Sequence, residues 1–335
     1  MGQNTMVRNE LVSLIEQLSE YQIEQVRKLA EGFLGVQKQL NDNTPKSCPC
    51  CKSTTARFIK KGFSGRKQRY QCMACGKKFT YDAGKITAFS HQSEDKWAVF
   101  IEDTLSLKTL DQCAEHISVC HTTAFYMRQK LLAFLEEAVQ SSMLSGLIEA
   151  DETYVLESQK GVCVTCRKPR KHGESATKRG LSDEQMCVCV AADRDGNVVA
   201  RCVNRAKPSA ENIRMAIGGR IAEKSVFQCD GEKAYNKLIE EKQCIQVVLN
   251  SHADYNKVYH LNTVNSLHSR LKEMMKHFNG VSTKYLNRYL AMFVALEQAG
   301  RSLFHPDVDA VRTMLAHVNT ALPIRSLRKD GLLAI

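Results

Sequence analysis

No apolar run in these 335 residues approaches the ~20 needed to span a bilayer, so no membrane-spanning helix is expected. The opening stretch MGQNTMVRNELVSLIEQ lacks the apolar block and small-residue cleavage site of a secretory signal, which predicts a cytoplasmic protein. Its first residues resemble a myristoylation start only superficially: the sixth position is neither Ser nor Thr, and no basic cluster is near. Internal repeats and low-complexity tracts are missing too, which sets aside a repeat architecture. Negative charge is short, with 36 Asp and Glu against 47 Lys and Arg for a formal net charge of +11.

What is present fits a globular chain of two or three domains, with 43% hydrophobic and 25% charged residues. The basic residues are bunched, in KKGFSGRKQR (Lys60 to Arg69), at Lys77 and Lys78, and in CRKPRKHGESATKR (from Cys166 to Arg179). Aromatic residues sit among the first two bunches. Such patches release counterions from a phosphate backbone and point to a polyanionic partner. Fourteen cysteines without a secretion signal imply a reducing compartment, where paired cysteines hold metal more often than they form disulfides.

Apolar residues from Leu11 to Leu40, mostly three and four apart, predict an amphipathic helix or helical pair over 7–40, able to dimerise or to pack on its own chain. The stretch NDNTPKS then reads as a linker. Cys48 and Cys51 form one C-x2-C pair, and Cys72 and Cys75 form another. Two tight turns bearing two thiolates each are what a tetrahedral zinc site requires, and the segment between them reads as the arms of a hairpin. Cys50, inside the first turn, is the rival ligand. A four-thiolate site leaves no coordination position open, so this zinc would be structural.

Residues 91–140 read as helical throughout. A capping pattern at Ser93 opens the first helix, with Trp97, Phe100, Ile101 and Leu105 on one side. A short helix, a turn and a longer helix beginning at HTTAFYMRQK resemble a helix-turn-helix, for which a plain three-helix bundle is the alternative. From Leu147 the texture changes. GLIEADETYV, EQMCVCVAAD and NVVARCVN read as strands, the last two joined by an RDGN turn. Helix and strand then alternate, through the strands KSVFQCD and CIQVVLN, before two terminal helices. This order predicts a mixed sheet flanked by helices, as in ribonuclease-H-like nucleases.

Asp151 falls in the first of these strands and Asp230 at the carboxyl end of the fourth. If those strands are neighbours, the two carboxylates converge, and like charges that close call for a cation between them. Mg²⁺ takes hard oxygen ligands and leaves positions for phosphate oxygens. A helix cap or a turn is the plainer reading of Asp230. Strand alternation sends Glu149 and Asp151 to one face and Glu152 to the other; either glutamate could contribute to the metal site, but an exposed carboxylate is the expected role of both. Cys187 and Cys189 alternate in a strand and read as core residues. The further C-x2-C of Cys163 and Cys166 lacks a matching pair at ribbon spacing.

The succession of zinc ribbon, helix-turn-helix, EADETYV, basic loop, CDGEKAY and HLNTVNSLHSRLKEMMKHFNGVSTKYLNRYL resembles the ISXO-like transposases of bacterial insertion sequences, over about residues 45–300. The resemblance implies a ribonuclease-H-like domain that cuts double-stranded DNA at element ends and joins the 3′ ends to a target. It implies catalytic residues Asp151, Asp230, Asn265 and Lys272, with Mg²⁺ (or Mn²⁺) held by the first three. It also implies zinc on Cys48, Cys51, Cys72 and Cys75, and a homodimer or larger assembly on DNA in the bacterial cytoplasm, associated with the nucleoid. Asn265 stands where the commoner pattern has an acid. Its amide oxygen can coordinate Mg²⁺ without charge, leaving the metal held more loosely or in need of another carboxylate. Lys272 returns to the same helix face two turns later, within reach of a phosphate. Glu273 points partly elsewhere, and His260 and Asn262 are expected near the site. The implied organisation is a helical segment (1–42), a zinc ribbon (43–84), a helical module (85–142), a catalytic domain (145–302) and a tail (303–335). The competing expectation is a DNA-binding protein whose nuclease-like domain is impaired by the amide.

Overall fold

The computed structural model describes residues 45–65, 67–160, 176–251, 254–278, 281–300 and 307–327. The expected helix over 7–40, the Cys163/Cys166 pair and most of the third basic bunch lie outside the described residues. The chain divides into two compact units, up to Tyr81 and from Asp82 onward.

The first unit is a three-stranded antiparallel ribbon, β1 (Phe58–Ser64), β2 (Lys67–Cys72) and β3 (Lys78–Thr80), in that spatial order. The β1–β2 hairpin is the expected one; β3 is additional. Its apolar content is small, with Tyr70 and Phe79 buried and Phe58 set edge-on to Phe79 at 5.9 Å. So little core cannot hold a fold by itself.

The second unit begins with three helices, α1 (Glu94–Leu105), α2 (Leu110–His116) and α3 (His121–Ala138). Ser93 caps α1 as expected, and Thr109 forms a capping box with Gln112 at α2. Five strands follow: β4 (Leu147–Leu156), β5 (Gln185–Asp193), β6 (Val198–Arg205), β7 (Val226–Cys229) and β8 (Ile245–Val248). Their order is β6-β5-β4-β7-β8, with β5 antiparallel to β4 and β6, and β4, β7 and β8 parallel. Helices α4 (Ala210–Ile217) and α5 (Asn236–Glu241) lie between the later strands, and α6 (Asn262–His277), α7 (Leu286–Gln298), α8 (Val308–Ala316) and α9 (Ile324–Leu327) close the unit.

The interior strand β5 explains the layering. Met186, Val188, Val190 and Ala192 point into a large core shared with α1–α3, α6, α7 and α8, while Cys189 and Ala191 point into a second core with α4 and α5. Period-two alternation with both faces apolar is the signature of a strand covered on both sides. In β4, Ile148 and Ala150 join the second core, so Glu149 and Asp151 face the first, where α6 lies. Helix α6 buries Val264, Leu267, Leu271 and Met274, spaced three and four apart, and packs on β4 and β5. Each such aliphatic side chain contributes roughly 1.5–3 kcal/mol by leaving water. That stripe fixes which face of α6 looks toward the strand ends.

Candidate active site

In the ribbon, Cys48, Cys51, Cys72 and Cys75 bring their sulfurs within 4.8 Å of one another. Cys48 Sγ lies 3.7 Å from Cys75 Sγ, and Cys51 Sγ lies 3.8 Å from Cys72 Sγ. A tetrahedron with metal–sulfur bonds of about 2.3 Å has edges of about 3.8 Å, so this spacing is that of a zinc–thiolate site. Each pair sits on a matching turn. Lys52 N donates to Cys48 O and Gly76 N to Cys72 O, both at 2.8 Å, and Lys52 and Gly76 both take positive φ. The Cys48 thiol is lowered to about 7: burial, which raises it, is outweighed by the amides of Cys51 and Cys50. Cys50 is not a member of the quartet.

In the second unit, β4 and β7 run side by side and parallel, with Glu149 opposite Gln228 in the last paired position. The chain therefore delivers Asp151 and Asp230 to the same end of the sheet. Carboxylate oxygens of Asp151, Glu152 and Asp230 lie within 4.8 Å of one another. Burial raises the Asp151 carboxyl to about 6, with Asp230 adding to it while the Glu152 amide and Lys272 oppose it. Burial likewise raises Glu152 to about 7, against the Tyr235 hydroxyl that hydrogen-bonds it. The Oε1 atom of Glu152 is out of solvent and has no hydrogen-bond partner. Hard oxygens, crowded like charges and an unused buried acceptor fit a divalent cation.

Helix α6 is laid across these strand ends by Glu149. This residue is 1% exposed. Its carboxylate accepts from Thr263 N at 2.9 Å, Thr263 Oγ1 at 2.8 Å and Val264 N at 3.2 Å, so a strand residue satisfies the first amides of a helix that has no side-chain cap of its own. Arg194 pairs with the same carboxylate, and His260 Nδ1 lies 3.3 Å from it. Neither glutamate is exposed, contrary to expectation. Periodicity sets the face a side chain leaves from, but burial here depends on a helix more than a hundred residues away.

From that anchored start, Asn265 stands exposed on α6, hydrogen-bonded to Tyr255, whose hydroxyl feels the charges of Asp151, Glu149 and Asp230. One turn on, His268 Nδ1 is 3.8 Å from Asp151 Oδ2, and burial followed by Lys272 lowers the imidazole to about 4. His268 was not singled out by the sequence, although its place three residues after Asn265 and four before Lys272 puts it on their face. Lys272 is exposed. With Glu152, His268 and Lys178 it lines an open groove of about 510 Å³. Asn262 is exposed at the helix start and Glu273 pairs with Lys276 at 2.8 Å.

In the helical module, α2 and α3 are joined by residues 117–120, with Ser118 at φ 53°. Only the first turn of α3 is open: His121 and Thr122 are exposed, whereas Arg128, Gln129 and Lys130 are buried. Burial lowers Lys130 to about 8; its ammonium donates to Ala88 O and lies over the rings of Trp97 and Phe89. Arg128 donates to Lys108 O at 2.8 Å and lies over the Phe278 ring.

A five-stranded sheet in the order 3-2-1-4-5 with its second strand reversed, and acids that meet just past the point where its two central parallel strands stop pairing, define a ribonuclease-H-like domain. Residues 143–294, which run from just before β4 into α7, match the ISXO2-like transposase domain. Over those residues, a little under half of its length, the chain is similar to the transposases of that family. No curated protein matches the chain. Among solved structures, the mariner Mos1 paired end complex with Mg is 12% identical, covering 72% of this chain and 81% of that one at a TM-score of 0.29. The Mos1 Strand Transfer Complex is 12% identical, with 72% and 78% covered at a TM-score of 0.27.

Proposed function

We propose that this chain is a transposase that cuts double-stranded DNA at the 3′ ends of its element and transfers them to target DNA, with a divalent cation held by Asp151, Asp230 and the amide oxygen of Asn265. The observation that carries this reading is the meeting of the Asp151 and Asp230 carboxylates at the strand ends of a transposase-family domain. Mg²⁺ or Mn²⁺ bound there would polarise the scissile phosphodiester and lower the pKa of the attacking hydroxyl. In the first step water attacks phosphorus and the P–O3′ bond breaks, leaving a 3′-hydroxyl and a 5′-phosphate. In the second, that 3′-hydroxyl attacks a target phosphodiester, forming a new P–O bond and releasing a target 3′-hydroxyl. No covalent bond to the protein is made in either step.

The chain's own groups divide the remaining work. Lys272, exposed beside the groove, would grip a backbone phosphate. His268 stays neutral near pH 7, so it adds no positive charge to compete for the carboxylates. Zinc on Cys48, Cys51, Cys72 and Cys75 would staple the ribbon, whose hairpin carries exposed Lys60, Lys61 and Lys67 around a 67% exposed Phe63. The first turn of α3 would enter DNA as the recognition end of a helix-turn-helix. In this reading residues 43–84 and 85–142 locate element ends, 145–302 cut, and two copies or more pair the ends on DNA in the cytoplasm and nucleoid. The described helices include none long and apolar enough to cross a membrane.

A nicking assay on a supercoiled donor plasmid tests the proposal. Asp151→Ala and Asp230→Ala should each abolish nicking, and unchanged nicking in either overturns the site. Asn265→Asp should raise activity, whereas normal cutting by Asn265→Ala removes Asn265 from the ligand set. Binding of element ends without nicking by the parent chain would favour the impaired DNA-binding protein.

A further inference from the structure

We infer that Glu152 is a further carboxylate ligand of the divalent cation, supplying the negative charge that Asn265 withholds. This rests on the reading of Asp151 and Asp230 as ligands and extends it.

Adjacent residues on a strand leave from opposite faces, which is why Glu152 was expected to point away. The sheet undoes that separation. Pairing between β4 and β7 ends at Glu149 and Gln228, and β7 itself ends at Cys229. Beyond that point β4 has no strand beside it on this edge, so its side chains from both faces can turn into the space past the end of β7, where Asp230 begins the next segment. The result is the three-carboxylate group in which Glu152 stands with Asp151 and Asp230 within 4.8 Å.

Two features of Glu152 point to a ligand. Its Oε1 is shielded from water yet accepts no hydrogen bond, an arrangement that is costly unless something positive fills it. Tyr235, fully buried and with its hydroxyl 3.6 Å from Cys189 Sγ, hydrogen-bonds the carboxylate and helps to fix its direction. The acid is thus braced from the second core and keeps one oxygen unused. Charge completes the argument. Asp151, Asp230 and a neutral Asn265 provide two negative charges, and Glu152 brings the count to the three of an all-acid triad.

Mn²⁺ binding to the full-length chain, followed by electron paramagnetic resonance with zinc supplied so that the ribbon thiols do not compete, separates the outcomes. Glu152→Gln should weaken Mn²⁺ binding by about 10-fold or more and lose the metal-induced rise in Tm. The double variant Glu152→Gln/Asn265→Asp should regain part of that affinity, because the charge returns from the helix side. Should Glu152→Gln fold poorly, Glu152→Asp, which keeps the charge but retracts it by one methylene, should bind more weakly than the parent. Parent-like affinity in Glu152→Gln or Glu152→Asp, with Mn²⁺ lost in Asp151→Asn and Asp230→Asn, overturns the inference and leaves the site standing. Mn²⁺ retained in Asp151→Asn sinks the site itself, and this inference with it.

Discussion

Replacing Glu149 by Gln tests the join between the sheet and the helix that crosses its end. The carboxylate is 1% exposed and is surrounded by two backbone amides, the Thr263 hydroxyl, the Arg194 guanidinium and the His260 ring. Glutamine keeps the shape and one acceptor oxygen but turns an NH2 group toward groups that themselves donate. Removing one partner of a buried ion pair costs about 3–5 kcal/mol, and a hydrogen bond to a charged group contributes about 1.5–3 kcal/mol. Arg194 is 32% exposed and regains water when released, which moves the total to the lower end, about 3 kcal/mol. For a unit of this size that corresponds to a drop in Tm of about 6–12 °C. Urea denaturation should show a lower midpoint at unchanged slope. A loss below about 0.5 kcal/mol would mean that the Glu149 carboxylate does not hold α6. The same variant should also lower nicking, since Asn265 follows Thr263 by only two residues.

Acid should stabilise the metal-free protein between about pH 7 and 5. Folded Asp151 and Glu152 sit at about 6 and 7, against ordinary values of 3.8 and 4.5, so in this window the folded state takes up protons that the unfolded state does not. His268, at about 4 against 6.5, acts with the opposite sign, but one imidazole is outweighed by two carboxyls. Thermal melts without metal should therefore give a higher Tm at pH 5.5 than at pH 8, and saturating Mg²⁺ should reverse the order; a flat metal-free profile contradicts the crowded acids. In the ribbon, Cys72→Ser or a zinc chelator should erase amide-exchange protection across β1–β3, because Tyr70, Phe79 and Phe58 are too small a core to replace the metal. Protection that survives chelation would show that the apolar contacts suffice.

Local chemistry was legible. Two C-x2-C pairs announced a four-cysteine ribbon, and EQMCVCVAAD announced a strand with Cys187 and Cys189 in the core, because in both cases the signal lies within a few residues. The meeting of Asp151 and Asp230 followed from strand order. Depth was not legible. Glu149 and Glu152 looked like surface acids in EADETYV; one is buried by the start of α6 and the other by Tyr235 and the early end of β7, none of which is local. Arg128, Gln129 and Lys130 likewise stand in HTTAFYMRQK, the expected opening of a recognition helix, yet they are buried and bonded to Lys108 O, Arg288 and Ala88 O. The segment after His305 carried no pattern on its own, but α8 lends Val311 and Leu315 to the larger core.

That larger core has a geometrical outcome. Trp97, Phe100 and Leu135 of the early helices are packed in one continuous cluster with Val188 and Val190 of the sheet and Leu267 of α6. A close-packed interior transmits position rather than absorbing it. The opening turn of α3 and the acids at the strand ends are therefore two marks on one stiff gauge. On the proposed reading, DNA held by that turn would meet the acids at a spacing set by the protein, not by the swing of a tether.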